Sequence, residues 1–186
     1  MAQAQSAYHL GVEHESMPAP LIAEHCTEVP AGAVRFVVES RFLADDMAQL
    51  KFGVATDDPG QASILNDGGG SVHVFGSTDG EEHLRFDCFE THPHYHYINN
   101  REHRNVIVRI DEFALGDPVK WTIERLRQRL PEMLEHGGAD SLAEEVRSQM
   151  NSVTGAVELV EQLLERARRA ELARRYRPDV PADAPA

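Results

Sequence analysis

Cysteine is almost missing from this chain. Cys26 and Cys88 are the two examples in 186 residues, far apart and without a C-x-x-C spacing. That excludes a disulfide scaffold and a cysteine-built zinc finger. Lysine is equally scarce, 2 against 16 arginines, and with the many alanines this bias points to a GC-rich bacterial genome. No apolar run approaches the ~18 residues that a membrane helix needs. The opening MAQAQSAYHLGVEHE has neither the basic nor the apolar region of a secretory signal. The expectation is a cytoplasmic protein with no membrane partner. Positive charge is in short supply as well. The formal charge is −13, and 18 acidic residues face 7 basic ones before Asp117. So acidic a half repels a phosphate backbone, which argues against nucleic acid as a partner.

What is present describes a folded domain. Hydrophobic residues make up 41% of the chain and charged ones 26%, the balance of a globular protein. A chain of this length buries roughly 70% of the surface it exposes when unfolded, so neither disulfides nor metal are needed for folding. A bound metal would be retained for function.

Residues 1–32 hold Pro18, Pro20 and Pro30 among scattered polar residues and read as an irregular N-terminal arm. From Ala33 the character changes. AVRFVVESRFLA, QLKFGVAT, SVHVFGS, EEHLRFDCFE, HYHYI and RNVIVRID are β-branched, aromatic or alternating, and each reads as a strand. Thr78-Asp79-Gly80 joins two of them as a hairpin turn, and the short connections imply antiparallel pairing. NDGGGS, residues 66–71, reads as a flexible loop.

Asp117-Pro118 opens a helix, because Asp caps free N–H groups and Pro fits the first turn. Pro131 should kink or restart that helix, and Gly137-Gly138 should end it. A second helix is expected over about 140–176, in which Val146, Met150, Val153, Val157, Val160 and Leu164 form a heptad seam. Some 36 residues would span roughly 54 Å, long enough to call for a homodimer or a helical protein partner. The fold class expected is α+β: an antiparallel β-sheet or small β-sandwich over about 33–112, then two C-terminal helices. In domain terms this is an arm (1–32), a β domain (33–116), a helical hairpin or coiled-coil extension (117–177) and a disordered tail (178–186).

FDCFETHPHYHYINN, residues 86–100, carries the strongest chemical signal. Alternate strand residues share a face and lie ~6.6–6.8 Å apart, so His94 and His96 can converge on one ion while Tyr95 and Tyr97 pack on the other side. Pro93 separates His92 from that pattern. His92 and His103 complete the candidate ligand set, with Glu90, Asp87, Glu102 and His73 as further third ligands. Two histidines and one carboxylate suit Fe(II) or Zn, and a bound hydroxide would make the protein a small metal-dependent hydrolase. The alternative is a non-enzymatic interaction protein acting through the 140–176 helix. Arg85, Arg104 and Arg109 lie on strands beside the histidines, where cross-strand pairing with Asp87 or Asp111 accounts for them. His25-Cys26 places its two side chains on opposite sides of an extended segment and does not form a dyad.

Overall fold

The computed structural model of the chain describes residues 11–14, 16–43 and 67–176. The strand expected at QLKFGVAT and the tail after Pro178 lie outside these residues. The described strands are β1 (Val12–His14), β2 (Cys26–Ala31), β3 (Val34–Leu43), β4 (Asp67–Gly76), β5 (Glu82–Phe89), β6 (His94–Asn99) and β7 (Arg104–Arg109). All seven join one antiparallel sheet in the order β1-β7-β6-β5-β4-β3-β2. The antiparallel expectation holds, and the form is a single sheet rather than a sandwich. β2 to β7 run as a meander, each strand beside its sequence neighbour. β1 and β2 are the exception, because they occupy opposite edges.

Two expectations need correction here. The arm read as irregular supplies both edge strands, with Val12 opposite Ile107 and Val29 opposite Phe36. Pro30 sits in β2, which is tolerated because an edge strand needs only half its N–H groups for pairing. The glycine run read as a loop is the start of β4, paired with β3 and β5. Its glycines serve a packing role. A Cβ on Gly70 would lie 2.6 Å from Leu164 Cδ2 and 3.2 Å from Leu164 Cα, so the bare backbone admits a helix at close range.

The helices follow the sheet: α1 (Glu112–Leu115), α2 (Pro118–Gln128), α3 (Leu130–His136), α4 (Asp140–Ser148) and α5 (Met150–Tyr176). Asp117 caps α2 as its sequence implies, accepting from the Lys120 N–H at 3.0 Å. Pro131 restarts the chain as α3, and Gly138, at φ +90°, turns it into α4. The single helix expected over 140–176 is instead two, divided at Gln149 (φ −120°, ψ 20°). The break lets α4 pack on α3 while α5, about 40 Å long at 1.5 Å per residue, lies along β2, β3 and β4.

Val146, Val153, Val157, Val160 and Leu164 are all fully buried inside the chain, and Met150 packs against the same core. They meet the helix-facing side of the sheet: Phe36, Val38, Val72, Val74, Leu84 and Phe86. Tyr95 and Tyr97 join them as expected, Tyr95 against Trp121 with ring centroids 5.2 Å apart. The end of α5 is tied to the sheet by Arg175, which donates to Asp67 Oδ1 at 2.6 Å and to Glu171 Oε1 at 2.6 Å. Arg168 likewise meets Asp117 at 2.6 Å, so these arginines of the basic helix end hold the fold together.

Two glycines should respond in opposite ways. Gly155 lies in α5 with open space where a Cβ would go, so Gly155→Ala should raise unfolding free energy by up to about 1 kcal/mol. Gly70→Ala should lower it through the clash with Leu164. Urea denaturation of both variants against the parent chain reads out both signs.

Candidate metal centre

The sheet face turned away from the helices is polar and nevertheless buried. It carries Glu39 and Arg41 from β3, Ser71 and His73 from β4, Arg85 and Asp87 from β5, His96 from β6 and Asn105 from β7, all nearly inaccessible. Their cover comes partly from the connection between the two edges. Residues 16–22 must cross this face to carry the chain from β1 to β2, and their backbone supplies partners on the way. Asn105 Nδ2 donates to the Ser16 carbonyl at 3.1 Å, Arg85 Nη1 to the Ala19 carbonyl at 2.7 Å, and Ile22 N–H to Glu39 Oε1 at 3.0 Å.

Register brings the site together. Asp87 pairs with His94 across β5 and β6, and strand alternation sets His96 on the same face two residues further along, opposite Arg85. Asp87 Oδ2 stands 3.2 Å from His94 Nε2 and 3.0 Å from His96 Nε2. The three donor atoms all lie within 4.8 Å of one another, so the group can hold a metal ion. Donors ~2.0–2.1 Å from a common ion stand at most ~4.2 Å apart, and the two distances from Asp87 Oδ2 fall within that limit.

The outer contacts determine which nitrogen faces inward. His94 Nδ1 lies 2.8 Å from the His92 carbonyl, which can only accept, so this nitrogen is the donor. Asn105 gives its Nδ2 to Ser16, leaving Oδ1 to accept from His96 Nδ1 at 2.9 Å. The other carboxylate oxygen, Asp87 Oδ1, accepts from the Ser71 hydroxyl. Carbonyl and amide acceptors behind each imidazole are what orient histidine ligands in metal sites. Burial alone would raise the Asp87 pKa, but hydrogen bonds and charge from His94 and His96 override it and hold the carboxyl well below its usual range. Burial opposes charge on His94 too, and Asp87 outweighs it, raising the His94 pKa.

Of the histidines singled out from sequence, His94 and His96 enter the group, and Asp87 from the reserve candidates is the third member. His92 stays outside it and contributes its backbone carbonyl, with its ring 3.4 Å from Asp67. His103 also stays outside, in an exposed turn at φ +50°. Glu102 is exposed and pairs with Arg104, while Glu90 faces Arg168. The orienting residues Ser71 and Asn105 were missed, because neither has a sequence signature apart from its strand register. A surface cleft of about 380 Å³ lies elsewhere, between Asp79, His83, Asn99 and Leu142, and contains none of the triad.

His73 belongs to a second buried network on the same face. Its Nδ1 meets Glu82 Oε1 at 2.7 Å and its Nε2 meets Glu39 Oε2 at 3.2 Å. Arg85 grips Glu82 through two bonds of 2.8 and 2.7 Å, and Arg41 lies 3.3 Å from Glu39. Burial disfavours a charged His73, yet the two carboxylates prevail and raise its pKa. Glu82, pushed up by burial and pulled down more strongly by Arg85 and His73, is held at about 2. The thiols are inert by comparison. Burial drives Cys26 up to about 11 and Cys88 up to about 12.

A single antiparallel sheet with helices on one face, and a two-histidine, one-carboxylate group on the other, defines an α+β domain with a candidate metal site. Residues 28–167 match the family described as Domain of unknown function (DUF7700), and the chain belongs to that family. No curated protein and no solved structure matches it. The matched span contains Asp87, His94 and His96 with Ser71 and Asn105, whereas the crossing segment 16–22 precedes it.

The His73 network makes the stability of the fold depend on pH. A raised folded-state pKa contributes stability that is complete below the unfolded value of 6.5 and is lost as pH rises through the folded value. Unfolding free energy should therefore decline from about pH 6.5 upward more steeply in the parent chain than in His73→Gln. Urea titrations across that range provide the comparison.

Proposed function

We propose that Asp87, His94 and His96 hold one divalent transition metal, Fe(II) or Zn, and that the protein acts as a metal-binding protein at this site. One observation carries the reading. Both imidazoles have Nδ1 committed as a donor, so in their neutral forms both Nε2 atoms present lone pairs toward the same Asp87 oxygen. Lone pairs and a carboxylate repel, so positive charge has to sit among them, as two extra protons or as one metal ion. The metal answers the need with one ion and relieves a buried carboxylate at the same time.

Three protein ligands leave positions open, one in a tetrahedral Zn site and three in an octahedral Fe(II) site. A Zn ion held by Asp87, His94 and His96 would supply Lewis acidity and a water that is acidic near pH ~7, the chemistry that hydrolysis at a carbonyl or phosphoryl centre needs. This supports hydrolysis of a small ester, amide or phosphate as the activity. Asp87 cannot serve as the general base there, since both of its oxygens are engaged, one with Ser71 and one with the histidines.

Elemental analysis of untagged full chain, produced with Zn and Fe in good supply, should show about one metal per chain. His96→Ala and Asp87→Asn should each lose nearly all of it while keeping a native circular dichroism spectrum, because the apolar core lies on the other face of the sheet. A parent chain that takes up no metal defeats the reading.

A further inference from the structure

None of the three strand arginines pairs with Asp87 or Asp111 as expected, and Arg109 is the one of them without a substitute partner among the described residues. Sequence placed Arg85, Arg104 and Arg109 beside carboxylates. Arg85 is bound to Glu82 and Arg104 lies 3.5 Å from Glu102. The Arg109 side chain has neither a hydrogen bond nor an ion pair among the described residues, and Asp111, one of the two carboxylates expected to pair with these arginines, instead caps α1 through the Phe113 and Ala114 N–H groups. The backbone around Arg109 is nevertheless held in place, with Ile110 N–H donating to the Pro93 carbonyl at 3.0 Å.

Its position is specific. Arg109 is the direct cross-strand partner of His94, so its side chain rises from the same face as the metal ligands. Paired Cβ atoms in an antiparallel sheet lie about 4.5–5.5 Å apart, well within the reach of an arginine. The described part of β1 covers β7 only from Asn105 to Ile107, and Arg109 is exposed beyond it. His94 is the most open of the three ligands, its side chain 20% exposed against 5% for Asp87 and 6% for His96. The approach to the site therefore passes His94 and Arg109, with the Phe89 ring edge-on to His94 at 5.7 Å as the apolar wall.

Charge at this mouth runs against the rest of the molecule. A divalent ion and one carboxylate leave a single positive charge, and Arg109 adds a second, in a chain with a formal charge of −13. Guanidinium is built to pair oxyanions through two parallel N–H donors. We infer that the site binds a small oxyanion ligand, a carboxylate or a phosphate, with one oxygen on an open metal position and the anion or its far end held by Arg109. This rests on the metal reading above.

The test uses full chain loaded with Co(II), whose visible absorption reports its own ligands, titrated with succinate and with inorganic phosphate. In the parent chain at least one anion should shift the spectrum to saturation, and which one does so distinguishes carboxylate from phosphate. Arg109→Gln should weaken that response by about tenfold or more, the scale of a lost charge-assisted pair, at unchanged Co(II) content. Arg109→Lys should recover part of it, and Arg101→Gln, in an exposed turn away from the site, should leave it intact. Failure to bind Co(II) removes the metal reading and this inference together. A Co(II)-loaded chain that ignores both anions, or responds equally well as Arg109→Gln, overturns the inference and leaves the metal reading in place.

Discussion

Taking a carboxylate out of water costs several kcal/mol unless positive charge and hydrogen bonds replace what is lost. Asp87 is such a carboxylate, 5% exposed at the centre of a sheet face, and its surroundings follow from that cost. Ser71 satisfies one oxygen. His94 and His96 converge on the other, each ring turned by an acceptor behind it. The three donor atoms lie close enough together that the group could hold a metal ion. The rest of the polar face repeats the logic, with Glu39 and Glu82 compensated by Arg41, Arg85 and His73.

This face stays buried because of the sheet order. A six-stranded meander could have left it open to solvent, as antiparallel sheets commonly do. Here the chain enters at one edge as β1 and must reach the other edge as β2, so residues 16–22 lie across the charged groups. Their carbonyls and amides satisfy Asn105, Arg85 and Glu39. The same crossing fixes the Asn105 amide, which in turn fixes the His96 tautomer. A backbone segment thereby sets the orientation of a ring beneath it. Beyond this crossing segment His94 and Arg109 keep some exposure at the corner of the face.

Much of the fold was legible because the signals involved are local. Asp117-Pro118, Pro131 and Gly137-Gly138 each act on the backbone within one turn, and each marks a helix boundary in the structure. Alternation in HYHYI assigned His94 and His96 to one face and the tyrosines to the other, since a strand has a period of two whatever surrounds it. Other features were not local. The glycine run is a strand because α5 needs the space above Gly70, and no rule for short segments contains that helix. The residues read as a heptad seam are buried, Met150 only in part, but an apolar stripe does not name its partner. A sheet within the same chain covers it, and the division at Gln149 follows from two helices packing on different neighbours.

The sequence by itself determined the antiparallel β-rich half, the helical half, and a pair of histidines able to share a ligand. These follow from residue period, turn chemistry and composition, all of which act over a few residues. Only the tertiary structure decided that, among the described residues, Asp87 joins His94 and His96 while His92 and His103 lie outside the group, and that the Arg109 side chain beside His94 has no ion pair among them. Those facts depend on strand register, which sets contacts between residues up to dozens of positions apart. A shift of one residue would have sent every one of these side chains to the opposite face.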